Sequence, residues 1–111
     1  VAMKHEKRRF VEKVDFVTSP GFLHGGSARA DSGLVTGGMY RVVTDLAILD
    51  FDDETREIKV AAMHAGVTAE QIRDNTGFDI RIDDDVATTA PPKQAELDVL
   101  RHLDPDQLYI A

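Results

Sequence analysis

The run Arg41 to Phe51, "RVVTDLAILDF", limits the architecture of this chain more than any other stretch. Val42, Val43, Leu46, Ala47, Ile48, Leu49 and Phe51 make it apolar on both alternating faces. A strand with that pattern belongs in the middle of a sheet, covered on both sides. "DDET" at 52 to 55 supplies turn formers. "EIKVAAMHA" follows, with Ile58, Val60 and Ala62 alternating against Lys59 and Ala61. The spacing predicts an antiparallel hairpin of residues 41 to 51 and 57 to 63, with the first run the more buried.

The sharpest local signal comes next, in "GVTAEQIRDNTGFDIRI". Thr68 is an N-cap with Gln71 three residues on, a capping box, and Val67 and Ile72 occupy the staple positions around it. Gly77 stands where a left-handed residue would close a helix over 69 to 76. In "FDIRI", Phe78, Ile80 and Ile82 alternate with Asp79 and Arg81, which predicts a further strand. The run Asp83 to Asp85 ends it, and 83 to 93, with "ATTAPPK", reads as a stiff linker. "KQAELDVLRHL" predicts a closing helix with Leu97, Leu100 and Leu103 as its apolar stripe and Pro105 as its stop.

Toward the N-terminus, "VAM" and "RFVEKVDFVTS" are extended candidates, rich in strand formers at Phe10, Val11, Val14, Phe16 and Val17. A short helix from Glu6 to Lys13 competes for the same residues. Residues 19 to 38 carry six glycines and a proline and read as a long glycine-rich loop. Loops of that length in a small domain usually serve function or a partner.

Composition narrows the chemistry. The chain has 111 residues, enough for a single domain. A net charge of −7 argues against nucleic acid or an anionic membrane as the main partner. Cysteine is absent, which removes disulfides, thiol catalysis and thiolate metal sites and fits a reducing cytoplasm. No apolar run reaches the ~20 residues of a membrane helix. The first residue is not methionine, so a piece of a longer protein is expected.

No self-contained catalytic set emerges. His5, His24, His64 and His102 show no ligand spacing, so no metal site is expected, and surface or loop positions are. "KHEKRR" is interrupted by Glu6 and reads as a solvated, charge-mixed segment in preference to a phosphate patch. "GGSARADSG" and "TGG" lack the GxGxxG and GxxxxGK[ST] fingerprints and read as mobile connection. Ser19, Ser27 and Ser32 have no nucleophile-elbow context. "DFDDE" and "DDD" lack calcium-loop spacing and read as acidic turns.

The blocks "MKHEKRRFVEKVDFVTSPGF", "YRVVTDLAILDFD", "HAGVTAEQIRDNTGFDI" and "PPKQAELDVLRHLDPDQLYI" resemble, in this order and along nearly the whole chain, the C-terminal part of the β subunit of family I CoA-transferases. The pattern is especially that of the glutaconate CoA-transferase group. Ala65 departs from it, standing where the family often has proline. The resemblance implies an α/β fold, an open twisted sheet with flanking helices. It implies transfer of coenzyme A between carboxylic acids through a glutamyl-CoA thioester, with acyl-CoA as substrate and no covalently bound cofactor. The family's glutamate and glycine-rich oxyanion segment lie upstream of anything matched here. Glu6, Glu12, Glu54, Glu57, Glu70 and Glu96 match no such motif, so no catalytic residue is expected in this chain. A partner is implied: an α subunit or a missing N-terminal half, in an oligomer. Gly37, Gly38 and Arg41 are the positions expected to face CoA or that partner. Relatives with the same tail hydrolyse CoA thioesters of ring-opened steroids, and a non-catalytic binding or assembly module is a third expectation.

Overall fold

The computed structural model describes residues 1–108; Tyr109 and Ile110, at the end of the family-like tail, lie outside the described residues with Ala111. The elements are α1 (Ala28–Asp31), β1 (Val42–Val43), β2 (Ala47–Phe51), β3 (Ile58–Met63), α2 (Ala69–Asp74), β4 (Ala87–Thr88) and α3 (Gln94–Leu103). The four strands form one open sheet in the order β1-β2-β3-β4. The first two pairings are antiparallel and β3–β4 is parallel.

The run 41 to 51 is not one strand. It reverses on itself at Thr44–Leu46, and β1 lies beside β2 with Val42 opposite Leu49. Thr44 makes the reversal. Its amide donates to the Ala47 carbonyl at 2.9 Å, while its hydroxyl oxygen accepts the amides of Leu46 at 3.2 Å and Ala47 at 2.9 Å. A threonine hydroxyl used this way imitates a backbone turn. The apolar run is therefore two short strands side by side, and Val43 is exposed.

The β2–β3 hairpin forms as expected, with Phe51 opposite Ile58, Leu49 opposite Val60 and a bulge between Ile48 and Leu49. β2 is the more buried strand: Ala47 and Leu49 are both 0% exposed. Asp52 organises the turn. One carboxylate oxygen accepts the amides of Glu54 at 3.0 Å and Thr55 at 2.9 Å, and the other faces Arg81 at 3.1 Å. Those bonds, the Thr55 amide foremost, lower its pKa to about 2.

Helix α2 carries the expected capping box: Thr68 Oγ1 accepts the Gln71 amide at 3.2 Å and Gln71 Oε1 accepts the Thr68 amide at 2.9 Å. The helix ends earlier than expected, capped by Asn75, and Ile72 is fully buried. Gly77 is not a left-handed terminator; its φ is not positive. It is glycine because the N-terminal segment passes against it. Its amide donates to the Phe10 carbonyl at 2.6 Å, and a Cβ there would stand 2.5 Å from that same oxygen.

The segment 78 to 82 keeps the expected alternation, with Ile80 buried and Asp79 and Arg81 exposed. It runs extended beside β3 through one parallel bridge, Lys59 to Arg81, and forms no regular strand. The fourth strand is instead β4, inside the segment read as linker. Of the N-terminal candidates, Ala2 bridges to Val43 and Val11 to Gly77. Between them stands a single turn in which Glu6 accepts the amides of Arg9 at 2.8 Å and Phe10 at 3.2 Å. Neither a long strand nor the Glu6–Lys13 helix forms. Phe10 enters the core, and past it Val14, Phe16 and Val17 stand exposed.

The core gathers Phe10, Val42, Ala47, Leu49, Val60, Ile72 and Ile80. Full burial of a large apolar side chain stabilises by roughly 1.5–3 kcal/mol. Helix α3 forms where expected, yet it buries nothing: Val99, Leu100 and Leu103 are all exposed.

Candidate functional site

The glycine-rich stretch 19 to 38 is folded, and Arg29 on α1 folds it. Its guanidinium donates to the carbonyls of Thr36 at 2.8 Å and Gly21 at 2.7 Å, and to the Thr36 hydroxyl at 2.8 Å. One side chain thus draws both ends of the loop together. The loop is docked on the β2–β3 turn, where the Gly26 amide donates to the Thr55 carbonyl at 2.9 Å.

Between these parts lies a cleft of about 370 Å³, lined among others by Phe22, Ser27, Arg29, Leu34, Gly37 and Arg56. Phe22 is held edge-on to Phe51 at 5.0 Å. Arg56 has a positive φ of 62°, and its guanidinium lies 5.4 Å above the Phe22 ring. Gly38 sits behind the cleft wall at φ 82°, where a Cβ would meet the Phe22 ring at 2.8 Å. Glycine there permits both the left-handed backbone and the close approach.

The expected site residues divide between two places. Gly37 lines the cleft and Gly38 backs it. Arg41 does not line it. It stands at the β1 end of the sheet, its Nε 3.4 Å from Asp50 Oδ2 and its guanidinium 5.1 Å above the Tyr40 ring. Arg29 and Arg56 carry no motif in the sequence. The signal for Arg29 is an arginine in the middle of a glycine run; Arg56 follows a turn whose handedness nothing local announces.

Chemically the cleft can bind or dock but has no set for breaking bonds. The Ser27 hydroxyl donates to the Asp31 carboxylate at 2.7 Å, with no histidine in the arrangement. The glutamates are engaged or exposed. The Arg8 guanidinium, aided by Arg9, holds the Glu6 carboxyl below its usual range. Glu96 accepts the Lys93 amide at 2.8 Å, and Glu12, Glu54, Glu57 and Glu70 are exposed. Among the described residues, no three His, Asp or Glu side chains gather as metal ligands, and no helix is long and apolar enough to cross a membrane.

One histidine contradicts the surface expectation. His5 is 3% exposed, stacked on Phe10 at 4.2 Å, with its ring nitrogens 3.2 Å from Thr44 Oγ1 and 3.0 Å from Thr76 Oγ1. The charged neighbours Lys4, Arg8 and Arg9 in "KHEKRR" hide it, because they point outward around Glu6 while His5 turns in.

The profile of the Coenzyme A transferase family matches residues 1–75. The β subunit of glutaconate CoA-transferase from Acidaminococcus fermentans is 39% identical over 99% of this chain and 42% of its own length. The β subunit of 3-oxoadipate CoA-transferase from Pseudomonas knackmussii is also 39% identical, over 94% of this chain and 40% of its own. The cholesterol ring-cleaving hydrolase IpdB subunit of Rhodococcus jostii is 32% identical, over 95% and 41%. The crystal structure of the A. fermentans glutaconate coenzyme A-transferase superposes with a TM-score of 0.88, covering 99% of this chain and 43% of the solved one. The chain spans about two fifths of the length of these relatives. A family profile over two thirds of the sequence, and a fold shared along nearly all of it, lead to one assignment: the chain belongs to the coenzyme A transferase family.

Proposed function

We propose that this chain is the scaffold and subunit-interface portion of an acyl-CoA:carboxylate CoA-transferase of the glutaconate CoA-transferase kind, with the catalytic glutamate outside it. Residues 1–111 act as one C-terminal unit of a β subunit. Its partner is an α subunit or the N-terminal portion of a family-length chain. Gly37 and Gly38 at the cleft, and Arg41 at the sheet end, are the contacts to CoA or to that partner.

The observation that carries this reading is surface. The chain exposes 8430 Å², whereas a compact monomer of its mass exposes about 6,000 Å². Its radius of gyration is 16.1 Å, against about 13 Å for a compact chain of this length. An excess of about 2,400 Å² on one partner is the scale of an obligate interface. Large apolar side chains stand exposed on it, among them Val14, Phe16 and Val17 in the N-terminal segment and Val99, Leu100 and Leu103 on α3. Such patches mark interaction surfaces. A hydrolase acting on CoA esters is the second reading, favoured by the identity to the R. jostii protein. The scaffold serves either chemistry, because the reacting groups come from elsewhere.

The test mixes the pure chain with an acyl-CoA and a free carboxylic acid and follows new CoA ester by chromatography, with borohydride trapping of a glutamyl thioester in parallel. No product above the protein-free control is expected, since among the described residues no activated nucleophile faces oxyanion donors. Turnover abolished by substituting one glutamate of this chain would overturn the reading.

A further inference from the structure

His5 sits where three parts of the molecule meet, and hydrogen-bond arithmetic there has a definite outcome. A neutral imidazole offers one donor and one acceptor; the protonated ring offers two donors. Both ring nitrogens of His5 face threonine hydroxyls, and each hydroxyl has a single proton. Thr44 Oγ1 lies 3.0 Å from the Ala47 carbonyl and Thr76 Oγ1 lies 2.7 Å from the Ile72 carbonyl. If both protons go to those carbonyls, both ring nitrogens must donate and the ring is a cation. If the ring is neutral, one hydroxyl must turn toward it.

Thr44 is the one that turns at least cost. The Ala47 carbonyl keeps the Thr44 amide at 2.9 Å, whereas the Thr76 bond to Ile72 is short and its alternative donor, the Asn75 amide, is at 3.2 Å. In the neutral state Nε2–H then donates to Thr76 and Nδ1 accepts from Thr44, and every group is satisfied. In the charged state a cation is buried at 3% exposure, which is unfavourable without close compensation. The groups around it are few. The β1–β2 turn presents Asp45, whose Oδ1 accepts the His5 amide at 2.6 Å. The end of α2 presents Thr76, and the N-terminal turn presents the Phe10 ring. His64, at the end of β3, is the second titratable group on the same threonine. Its Nε2 donates to the Thr44 carbonyl at 2.9 Å and its Nδ1 lies 2.9 Å from Thr89 Oγ1.

We propose that His5 is a proton-operated latch: neutral, it fastens the N-terminal segment to the β1–β2 turn and to the end of α2, and proton uptake releases that segment. Burial holds the His5 pKa below its ordinary 6.5, outweighing the opposite pull of Asp45. The opened state, with the ring in water, therefore takes up the proton first. The latch is fully closed above about pH 6.5 and weakens as pH falls through that value toward the pKa of the buried ring. The bonds that open include the Met3 amide to Val43, the Val43 amide to Val1, the His5 amide to Asp45 and the Gly77 amide to Phe10, and the Val1 amine also reaches the Arg41 carbonyl at 2.9 Å.

The experiment measures exchange at the Met3, His5 and Gly77 amides between pH 5 and 8, corrected for intrinsic rates, in the 111-residue chain and in His5→Gln and His64→Gln. Glutamine offers one donor and one acceptor and carries no titrating proton. Opening is expected to grow below pH 6.5, by up to about tenfold per pH unit for one proton. The growth should be absent in His5→Gln and kept in His64→Gln. A pH dependence that persists in His5→Gln, or disappears in His64→Gln, would overturn the proposal. Should His5→Gln fail to fold, the nitrogen shifts of the wild-type ring decide. A single neutral tautomer protonated at Nε2 at pH 7.5 supports the latch, and an imidazolium or a tautomer mixture at that pH overturns it.

Discussion

Helices α2 and α3 begin alike and end in opposite circumstances. Each opens with a side chain three residues into the helix reaching back to the cap amide, Gln71 in one and Glu96 in the other. Each is too short to be stable alone in water. The six-residue α2 sinks Ile72 to zero exposure, whereas the ten-residue α3 buries no residue. What α3 has within itself is small: a Gln94–Asp98 hydrogen bond at 2.7 Å and an exposed Arg101–Asp98 pair at 3.9 Å. Local sequence writes a helix in both places, but only packing holds one. The apolar side of α3 is left exposed, and on the proposed function it is a surface for the α subunit or the N-terminal portion of a family-length chain.

The difference can be attacked by matched substitutions. Ile72→Ala is expected to cost about 2–5 kcal/mol, because it leaves a cavity in the core. Leu103→Ala, an equal loss of methylenes on α3, should change stability by less than about 0.5 kcal/mol. Urea denaturation of both variants compares them, and equal losses would break the contrast. Next in size is Gly77→Ala. Its methyl meets the Phe10 carbonyl at 2.5 Å, so the N-terminal segment must shift, at about 1–3 kcal/mol. An unchanged thermal midpoint would show that the contact yields freely. Thr68→Ala should lower global stability by about 1 kcal/mol through loss of the cap. Glu96→Ala, which removes the matching bond in α3, should leave the global midpoint in place.

The smallest effect concerns acid. The folded pKa of Asp52, about 2, lies below its ordinary 3.8, so its contribution is complete above about pH 3.8 and is lost as pH falls toward 2. Asp52→Asn should flatten that part of the acid unfolding curve and leave the curve above pH 5 unchanged in shape.

Some of this is plain in the chain itself. The capping box at Thr68 and Gln71, the acidic hairpin turn at 52 to 57 and the extent of α3 follow from short-range chemistry, which a single sequence carries. The reversal at Thr44 escapes such a reading because seven apolar residues look like one strand, and only a hydroxyl accepting two amides divides them. Gly77 looks necessary for the wrong reason: the demand comes from Phe10, 67 positions away, and nothing local encodes it. At the candidate site the glycine run is visible, but the arginines that shape it depend on contacts between the loop and the β2–β3 turn. Arg41 groups with Gly37 and Gly38 only by nearness in sequence; the strand direction carries it to the sheet end.

Native-state hydrogen exchange on the isolated chain tests the central contrast most directly, by reading the amides of Leu97 to Leu103 against those of Leu49, Val60 and Ile72. If α3 is a helix awaiting a partner, its amides should exchange within about tenfold of free-peptide rates, while the sheet and α2 amides are protected to near the global unfolding free energy. Exchange of the α3 amides in step with Leu49 and Val60 would mean that the chain stabilises this helix by itself, and the interface account would fail.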